Sequence, residues 1–201
     1  LFLVATPIGN LEDITFRAVR ILRGAALIAA EDTRTTRVLL DRYEITTPTT
    51  SYHEHTSASR TDAILSALET GDVALVSDAG TPGINDPGYE LVVAAIARGH
   101  AVSPIPGACA AIAALAASGL PTDQFTFAGF APRKKSGLSA WVAGLRNEQR
   151  TTLVYESPHR IEETLKALAA AFPGRPLCIA REITKRFETF WRGTCAGAAG
   201  W

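Results

Sequence analysis

Residues 72–88, DVALVSDAGTPGINDPG, constrain the fold more than any other stretch of the chain. Val73 to Val76 is an unbroken apolar run, without the polar alternation of a strand that has one wet face. Such a run belongs to a parallel sheet with helices on both faces, because there a strand loses both its sides to the core. The turn that follows is about ten residues long, where a plain reversal takes two to four. Gly80 and Gly83 allow positive φ and close approach of a ligand to the backbone, while Pro82 and Pro87 stiffen the loop. Open α/β sheets bind ligands at the carboxyl ends of their strands, and this loop sits at one. Asp78 and Asp86 suit an ammonium group or ribose hydroxyls, and an acid at the loop's entry repels phosphate. The chain has neither G-x-x-x-x-G-K-[ST] nor G-x-G-x-x-G, so a phosphate-cradling nucleotide hydrolase is excluded and a ligand with a positive centre, a sulfonium or an α-ammonium, is favoured.

The rest of the first 120 residues repeats the strand-then-helix order. LFLVAT is a short strand ended by Pro7 and Gly9, and Phe16, Val19, Ile21 and Leu22 have helical spacing behind a cap at Asp13 or Thr15. ALIAAED is a strand that ends on two acids. TRTTRVLLDRY reads as a short helix, TTSYHEH as a strand or loop, 61–69 and 89–97 as helices, and AVSPIPG as a strand and turn. A buried helix is expected within 105–120. Beyond Pro121 the character changes: QFTFAGFAP, TTLVYESP and PLCIAREI read as strands, 160–171 as a helix, and RKKSG as a polar, mobile loop. WRGTCAGAAGW ends without a closing strand. These readings predict an α/β chain of two domains, 1–120 with a mostly parallel sheet and 121–201 with a mixed sheet, the second one truncated.

Composition narrows the class. Hydrophobic residues make up 47% and charged residues 20%, as in ordinary soluble globular proteins. No apolar run reaches the roughly 20 residues that span a bilayer, so no membrane association is expected. The chain opens directly on a strand rather than on a signal peptide, and Leu1 is no initiator, so the natural chain is expected to begin earlier. Cys109, Cys178 and Cys195 are odd in number and widely spaced, with no C-x-x-C among them, which points to a cytoplasmic protein without disulfides or a metal. A net charge of zero hides an asymmetry: residues 1–120 hold 8 basic and 13 acidic residues, and residues 121–201 hold 12 and 7. That distribution hints at polyanion contact through the second domain.

Other constellations are weaker, and each has a structural alternative. IPGACAAIAALAASGLP turns the chain at Pro106-Gly107 and then offers small side chains on which a flat ring can lie; they serve close helix packing equally well. In AAEDTRTTRVLL, Glu31 and Asp32 stand at a strand end with Arg34 and Arg37 a helical turn apart, either as a salt-bridged structural feature or as a site for a polar substrate. VYESPHRI presents Tyr155, Glu156, Ser157, His159 and Arg160 after a strand, with His159 either functional or a cap. AREITKRFETFWRG interleaves Arg181, Lys185, Arg186 and Arg192 with Phe187, Phe190 and Trp191, a pattern that suits unstacked RNA bases or an amphipathic element on a core.

Taken in order, LFLVATPIGNLEDIT, AAEDTRTTRVLL, SYHEH, ALVSDAGTPGINDPGYELV, PIPGACA, FAGFAPRK, YESPHRI and AREITKRFE resemble the tetrapyrrole methylase superfamily. Within it they are most similar to the methylases of a cytidine ribose 2′-hydroxyl in small-subunit (16S) ribosomal RNA. The likeness runs through nearly the whole chain. It implies the two-domain tetrapyrrole-methylase-like fold, S-adenosyl-L-methionine in the cleft between the domains, a homodimer, and the ribosomal RNA or the 30S subunit as substrate. It also implies a continuation past Trp201 with a closing strand. The tetrapyrrole-modifying relatives carry G-x-G-P-G-D in the first loop; Thr6 to Asn10 stand there instead, which argues against a porphyrin-type substrate. The resemblance assigns cofactor contacts to Pro7, to Asp78, Gly80, Gly83, Ile84 and Asp86, to Ala108, Cys109 and Ala110, and to Phe130 and Tyr155. Base candidates are Asp32, Glu31 and His159, in that order, and Arg34, Arg133, Lys134, Lys135 and Lys185 are expected to hold phosphates. Two rival readings are a small-molecule carbon or nitrogen methylase of the same fold and a noncatalytic RNA-binding ribosome-assembly module.

Overall fold

The computed structural model describes residues 1–200; Trp201, the last residue of the expected second domain, lies outside them. The chain forms two compact units, Leu1–Cys109 and a second from Ala110 onward.

The first unit alternates β1 (Phe2–Val4), α1 (Phe16–Gly24), β2 (Leu27–Ala30), α2 (Thr33–Arg42), β3 (Thr49–Ser51), α3 (Ala58–Thr70), β4 (Val73–Val76), α4 (Tyr89–Ala97) and β5 (Ser103–Ile105). All five strands are parallel, in the order β3-β2-β4-β1-β5. From β1 the chain moves out to β2 and β3, returns to β4 beside β1, and then crosses to β5 on the far side of β1. Connections therefore part at β1, and the loops after β1 and β4 open into a crevice at the carboxyl end of the sheet.

Both faces of this sheet are covered, as the apolar run of β4 requires. Val4, Ile28, Val76 and Ile105 pack with Leu22 of α1 and Leu40 of α2. Ala29, Val73 and Leu75 pack with Ile64 and Leu65 of α3 and Leu91 of α4. The side chain of Thr15 caps α1 by accepting from the Ala18 amide, and that of Asp32 caps α2 by accepting from the Arg34 amide.

The second unit holds α5 (Ala110–Ser118), β6 (Phe125–Phe130), α6 (Lys135–Gly144), β7 (Thr151–Tyr155), α7 (Ile161–Ala171), β8 (Pro176–Arg181), β9 (Thr189–Thr194) and α8 (Cys195–Ala198). Its pairing is mixed, but in two separate ladders: β6 and β7 are parallel, β8 and β9 antiparallel. Helix α5, read from sequence as part of the first domain, packs on β7, β8 and β9. Arg192 holds its carboxyl end by donating from Nε to the Ser118 carbonyl (3.1 Å) and from Nη2 to that of Ala117. Two further expectations change. RKKSG is no free loop, because Lys135 opens α6, whose buried side is only Leu138 and Val142. WRGT is not strandless: it forms the end of β9, matched residue for residue with β8. The three cysteines are free thiols, and among the described residues no helix is long and apolar enough to cross a membrane.

Leu75 is 1% exposed in the central strand, so Leu75→Ala is expected to cost about 3 kcal/mol, the sum of lost burial and a cavity. Urea unfolding measures it, with exposed Val38→Ala as the near-neutral control; a loss below about 1 kcal/mol would contradict the two-sided burial of β4.

Candidate functional site

Three loops meet at the carboxyl end of the first unit's sheet, and the backbone itself fastens them. Thr6, after β1, and Gly80, after β4, exchange two hydrogen bonds, Thr6 N–H to Gly80 O at 2.8 Å and Gly80 N–H to Thr6 O at 3.0 Å. Thr6 Oγ1 also donates to the Ser77 carbonyl (3.1 Å), and Thr81 Oγ1 donates to the Ala108 carbonyl (3.1 Å), which ties in the turn after β5. The glycines make this possible. Gly80 has φ +95°, and at Gly88, with φ +147°, a Cβ would stand 3.0 Å from Leu75 Cδ2. At Gly107 it would stand 2.9 Å from the Ala5 Cβ, closer than carbon atoms pack. Beside these loops a cleft of about 300 Å³ is lined by Pro7, Ile8, Gly9, Val38 and Asp78 among others; its walls are mainly apolar, as small-molecule sites are.

An acidic face borders the loops. Asp78 N–H donates to Glu31 Oε2 (3.2 Å), and Asp32 N–H donates back to Asp78 Oδ1 (3.1 Å). The ends of β2 and β4 are thus cross-linked through carboxylates. Asp86, half-buried at the loop's far side, has its carboxyl pushed up to about 6, chiefly by loss of water and further by the negative charges of Glu31 and Asp78, against a hydrogen bond from Ser77. Asp32 goes the other way. Its carboxylate accepts from Arg34 Nε (3.1 Å), Nη2 (2.7 Å) and the Arg34 amide (2.8 Å), and these bonds hold it down to about 2.

The sequence candidates therefore separate. Pro7, Asp78, Gly80, Gly83, Ile84, Asp86, Ala108 and Cys109 lie in the three fastened loops of the first unit, and Glu31 beside them. Asp32, ranked first as a base, is a helix cap gripped by a guanidinium and so a weak proton acceptor; Arg34, its partner, remains 90% exposed. Arg37 pairs with Asp41 in the same helix.

On the second unit, Tyr155 packs edge-on against Phe127 (5.0 Å) and Phe130 (5.6 Å), and its hydroxyl accepts from the Ala111 amide (3.2 Å) at the start of α5, next to Ala110. Phe130 remains 53% exposed, an open ring face. Arg133, Lys134 and Lys135 are exposed at the amino end of α6, where the helix dipole disfavours cations. Lys185 pairs with Glu182 at 3.1 Å in the turn between β8 and β9. His159 is exposed in the turn before α7.

Sequence reasoning missed what holds that turn. Glu156, its side chain 4% exposed, accepts from Arg160, from Thr164 Oγ1 (2.6 Å) and from the Ser157 amide (2.8 Å), while Arg160 Nη1 donates to the Ala131 carbonyl (3.2 Å). The signal was present in YESPHR as an i,i+4 acid–base pair. Thr6 and Thr81 were missed too, and a lone threonine gives no warning of a long-range hydrogen bond.

Comparison with known proteins identifies the family and agrees with the fold. The family model described as tetrapyrrole (corrin/porphyrin) methylases matches residues 1–199. A ribosomal RNA small subunit methyltransferase I from Halalkalibacterium halodurans is 52% identical over 100% of the chain and 70% of its own length. The protein of that name from Bacillus subtilis is 48% identical over 100% and 69%. Among solved structures, a diphthine synthase has a TM-score of 0.76 at 14% identity, covering 100% of the chain and 84% of its own, and a cobalt precorrin-4 methyltransferase 0.71 at 16%, covering 99% and 87%. A uroporphyrin-III C-methyltransferase from Thermus thermophilus, solved with S-adenosylhomocysteine, has 0.63 at 18%, covering 99% and 90%. At such identities these structures speak for the fold alone.

The raised carboxyl of Asp86 has a measurable consequence. Its folded value lies above its ordinary 3.8, so the carboxylate destabilises the fold progressively as pH rises from about 4 through about 6. Asp86→Asn is expected to add about 1 kcal/mol at pH 8, discounted for a half-exposed group, and nothing at about pH 3.5. Urea titrations at both pH values check this; equal effects at both would exclude burial of the charge as the cause.

Proposed function

We propose that this chain, which belongs to the tetrapyrrole (corrin/porphyrin) methylase family, transfers a methyl group from S-adenosyl-L-methionine to the ribose 2′-hydroxyl of a cytidine in small-subunit ribosomal RNA. The observation that carries the reading is the fastened, acid-bordered loop Ser77–Gly88 in a chain about half identical, end to end, to relatives named as methyltransferases of that RNA.

The residues present fit such a donor. Gly83 leaves backbone open to close approach, and no basic residue stands in the loop to call for phosphate. Burial chiefly, and the negative charges of Glu31 and Asp78 further, raise Asp86, and a positive ligand offsets those charges. Bound S-adenosylmethionine supplies a methyl on a positively charged sulfur, whose departure as a thioether needs no acid. Pro7 and Ile84 supply apolar contact, Ala108, Cys109 and Ala110 small side chains against which a flat ring lies, and Phe130 and Tyr155 aromatic faces that suit a purine. Alignment of the acceptor hydroxyl is the main contribution, worth several kcal/mol in well-oriented reactions. Glu31 is the better base among the candidates, because no guanidinium holds its carboxylate, whereas Asp32 is held at about 2. Arg133, Lys134 and Lys135 hold phosphates, at a helix end where their charge gains nothing from the fold. A homodimer in the cytoplasm, acting on the RNA or on the 30S subunit, completes the proposal.

Incubation with methyl-labelled donor and either small subunits or naked 16S RNA tests the reaction. Label on a cytidine 2′-oxygen is expected; label on a base, or transfer to a porphyrinogen instead, would defeat it. Asp78→Asn keeps an acceptor for the Asp32 amide but removes the charge, so donor affinity is expected to fall at least about tenfold with the melting temperature unchanged. Calorimetry reads both, and unchanged affinity would remove Asp78 from the site. Wild-type affinity should also rise between pH 5 and pH 7, as Asp86 ionises near 6, and Asp86→Asn should abolish that rise. Lys134→Ala with Lys135→Ala should weaken RNA binding and flatten its salt dependence by about 1.4 in the log–log slope if each meets one phosphate of a single strand.

A further inference from the structure

The first unit carries an excess of acids, yet its basic residues are not scattered. Arg17, Arg20 and Arg23 recur every third residue along α1, exposed on its outer side, and Arg42 at the end of α2 lies with its guanidinium 5.5 Å over the Tyr43 ring. Arg17 and Arg20 have no carboxylate partner among the described residues. Arg23 donates to the Tyr43 carbonyl (2.6 Å), a neutral acceptor that leaves its charge uncompensated. Arg34 and Arg37, in contrast, are neutralised by Asp32 and Asp41.

Arg20 and Arg23 border a groove. Ile14, Phe16, Val19, Arg20, Arg23 and Tyr43 line it, and Glu12 is the acid among its lining residues. Tyr43 is fixed at its floor, its hydroxyl donating to the Leu11 carbonyl (2.7 Å). Phe16, the first residue of α1, is 97% exposed. A phenyl ring left almost wholly in water gains nothing from folding, and here it precedes Arg17 and Arg20, whose guanidinium groups have no carboxylate partner among the described residues. That combination of ring faces and positive charge is what an unstacked ribonucleotide strand needs, bases against rings and phosphates against guanidinium groups. The 3-10 turn Leu11–Asp13 separates this groove from the cleft beside Thr6 and Asp78, and Leu11 lines that cleft.

We propose that the groove between α1 and Tyr43 is a substrate track for single-stranded RNA, with Phe16 stacking one base, Arg20 and Arg23 carrying phosphates in the groove, and Arg17, exposed on the same helix, meeting the strand beyond it. The inference rests on the reading of the chain as an RNA methylase and adds a binding face on the first unit, where sequence charge had pointed to the second. Arg17→Ala with Arg20→Ala is expected to lower affinity for a fluorescent single-stranded 16S fragment and to reduce the log–log salt slope by about 1.4. Phe16→Leu should weaken binding by about tenfold without altering that slope, and Phe16→Trp should restore it, since a leucine is apolar but has no face on which a base can stack. Donor affinity and melting temperature serve as checks that the exposed substitutions leave the fold intact. Wild-type RNA affinity in all of these variants would overturn the proposal while leaving the proposed reaction standing. Failure of the unmodified protein to bind RNA at all would bring down both. A change of oligomeric state in Phe16→Leu, read by light scattering, with RNA affinity unchanged, would make this face an interface between copies of the chain and overturn the track.

Discussion

The double hydrogen bond between Thr6 and Gly80 is the constraint on which the rest of the candidate site depends. It is a single antiparallel bridge added to a sheet that is otherwise wholly parallel, and it forms only because Gly80 adopts φ +95°. Without it the loops after β1 and β4 would leave the sheet as independent excursions. With it, the first half of the Ser77–Gly88 loop is tied to the loop after β1, and the Thr81 hydroxyl extends the same fastening to Ala108. Backbone amides that would otherwise need water are satisfied within the loops, so the site is shaped before any ligand arrives.

The same strand ends decide the electrostatics. Glu31, Asp32 and Asp78 are brought together because β2 and β4 are neighbours in the sheet, and amide hydrogen bonds partly compensate their mutual repulsion. Compensation is uneven. Asp32 takes the arginine and falls to about 2; Asp86 takes the burial and rises to about 6. Two carboxyls in one loop cluster thus part in basicity, because the Arg34 side chain holds one down and loss of water pushes the other up.

What was legible in the sequence follows the same division. Val73 to Val76 announced the parallel sheet because an unbroken apolar run has one interpretation when followed by a long glycine-bearing turn. The helices of the first unit were equally plain, since each follows a strand in the same alternating order. In the second unit the signals are thinner. Helix α6 shows only two buried positions behind three basic residues, and β9 hides its alternation among Phe190, Trp191 and Arg192, one of which caps α5. The division after Cys109 was illegible because α5 is almost uniformly small and apolar, a composition that packs equally well in either unit. Within the site, residue types were readable but pairings were not: nothing in AAEDTR says which acid the arginine will take.

That last point separates charge counting from charge placement. The first unit's negative sum reflects a concentration of acids at the carboxyl ends of β2 and β4, where a cation suits the field, while its unpaired arginines lie along the outer side of α1. A helix with cations at every third position and no acid partners gains little stability from them, and an exposed phenylalanine at its first turn gains none. Both features contribute little to folding, on a helix whose buried side, Ala18 and Leu22, is otherwise ordinary. Residues that the fold does not need, gathered around a groove that the fold keeps open, are more reasonably explained by what the protein holds there than by how it folds.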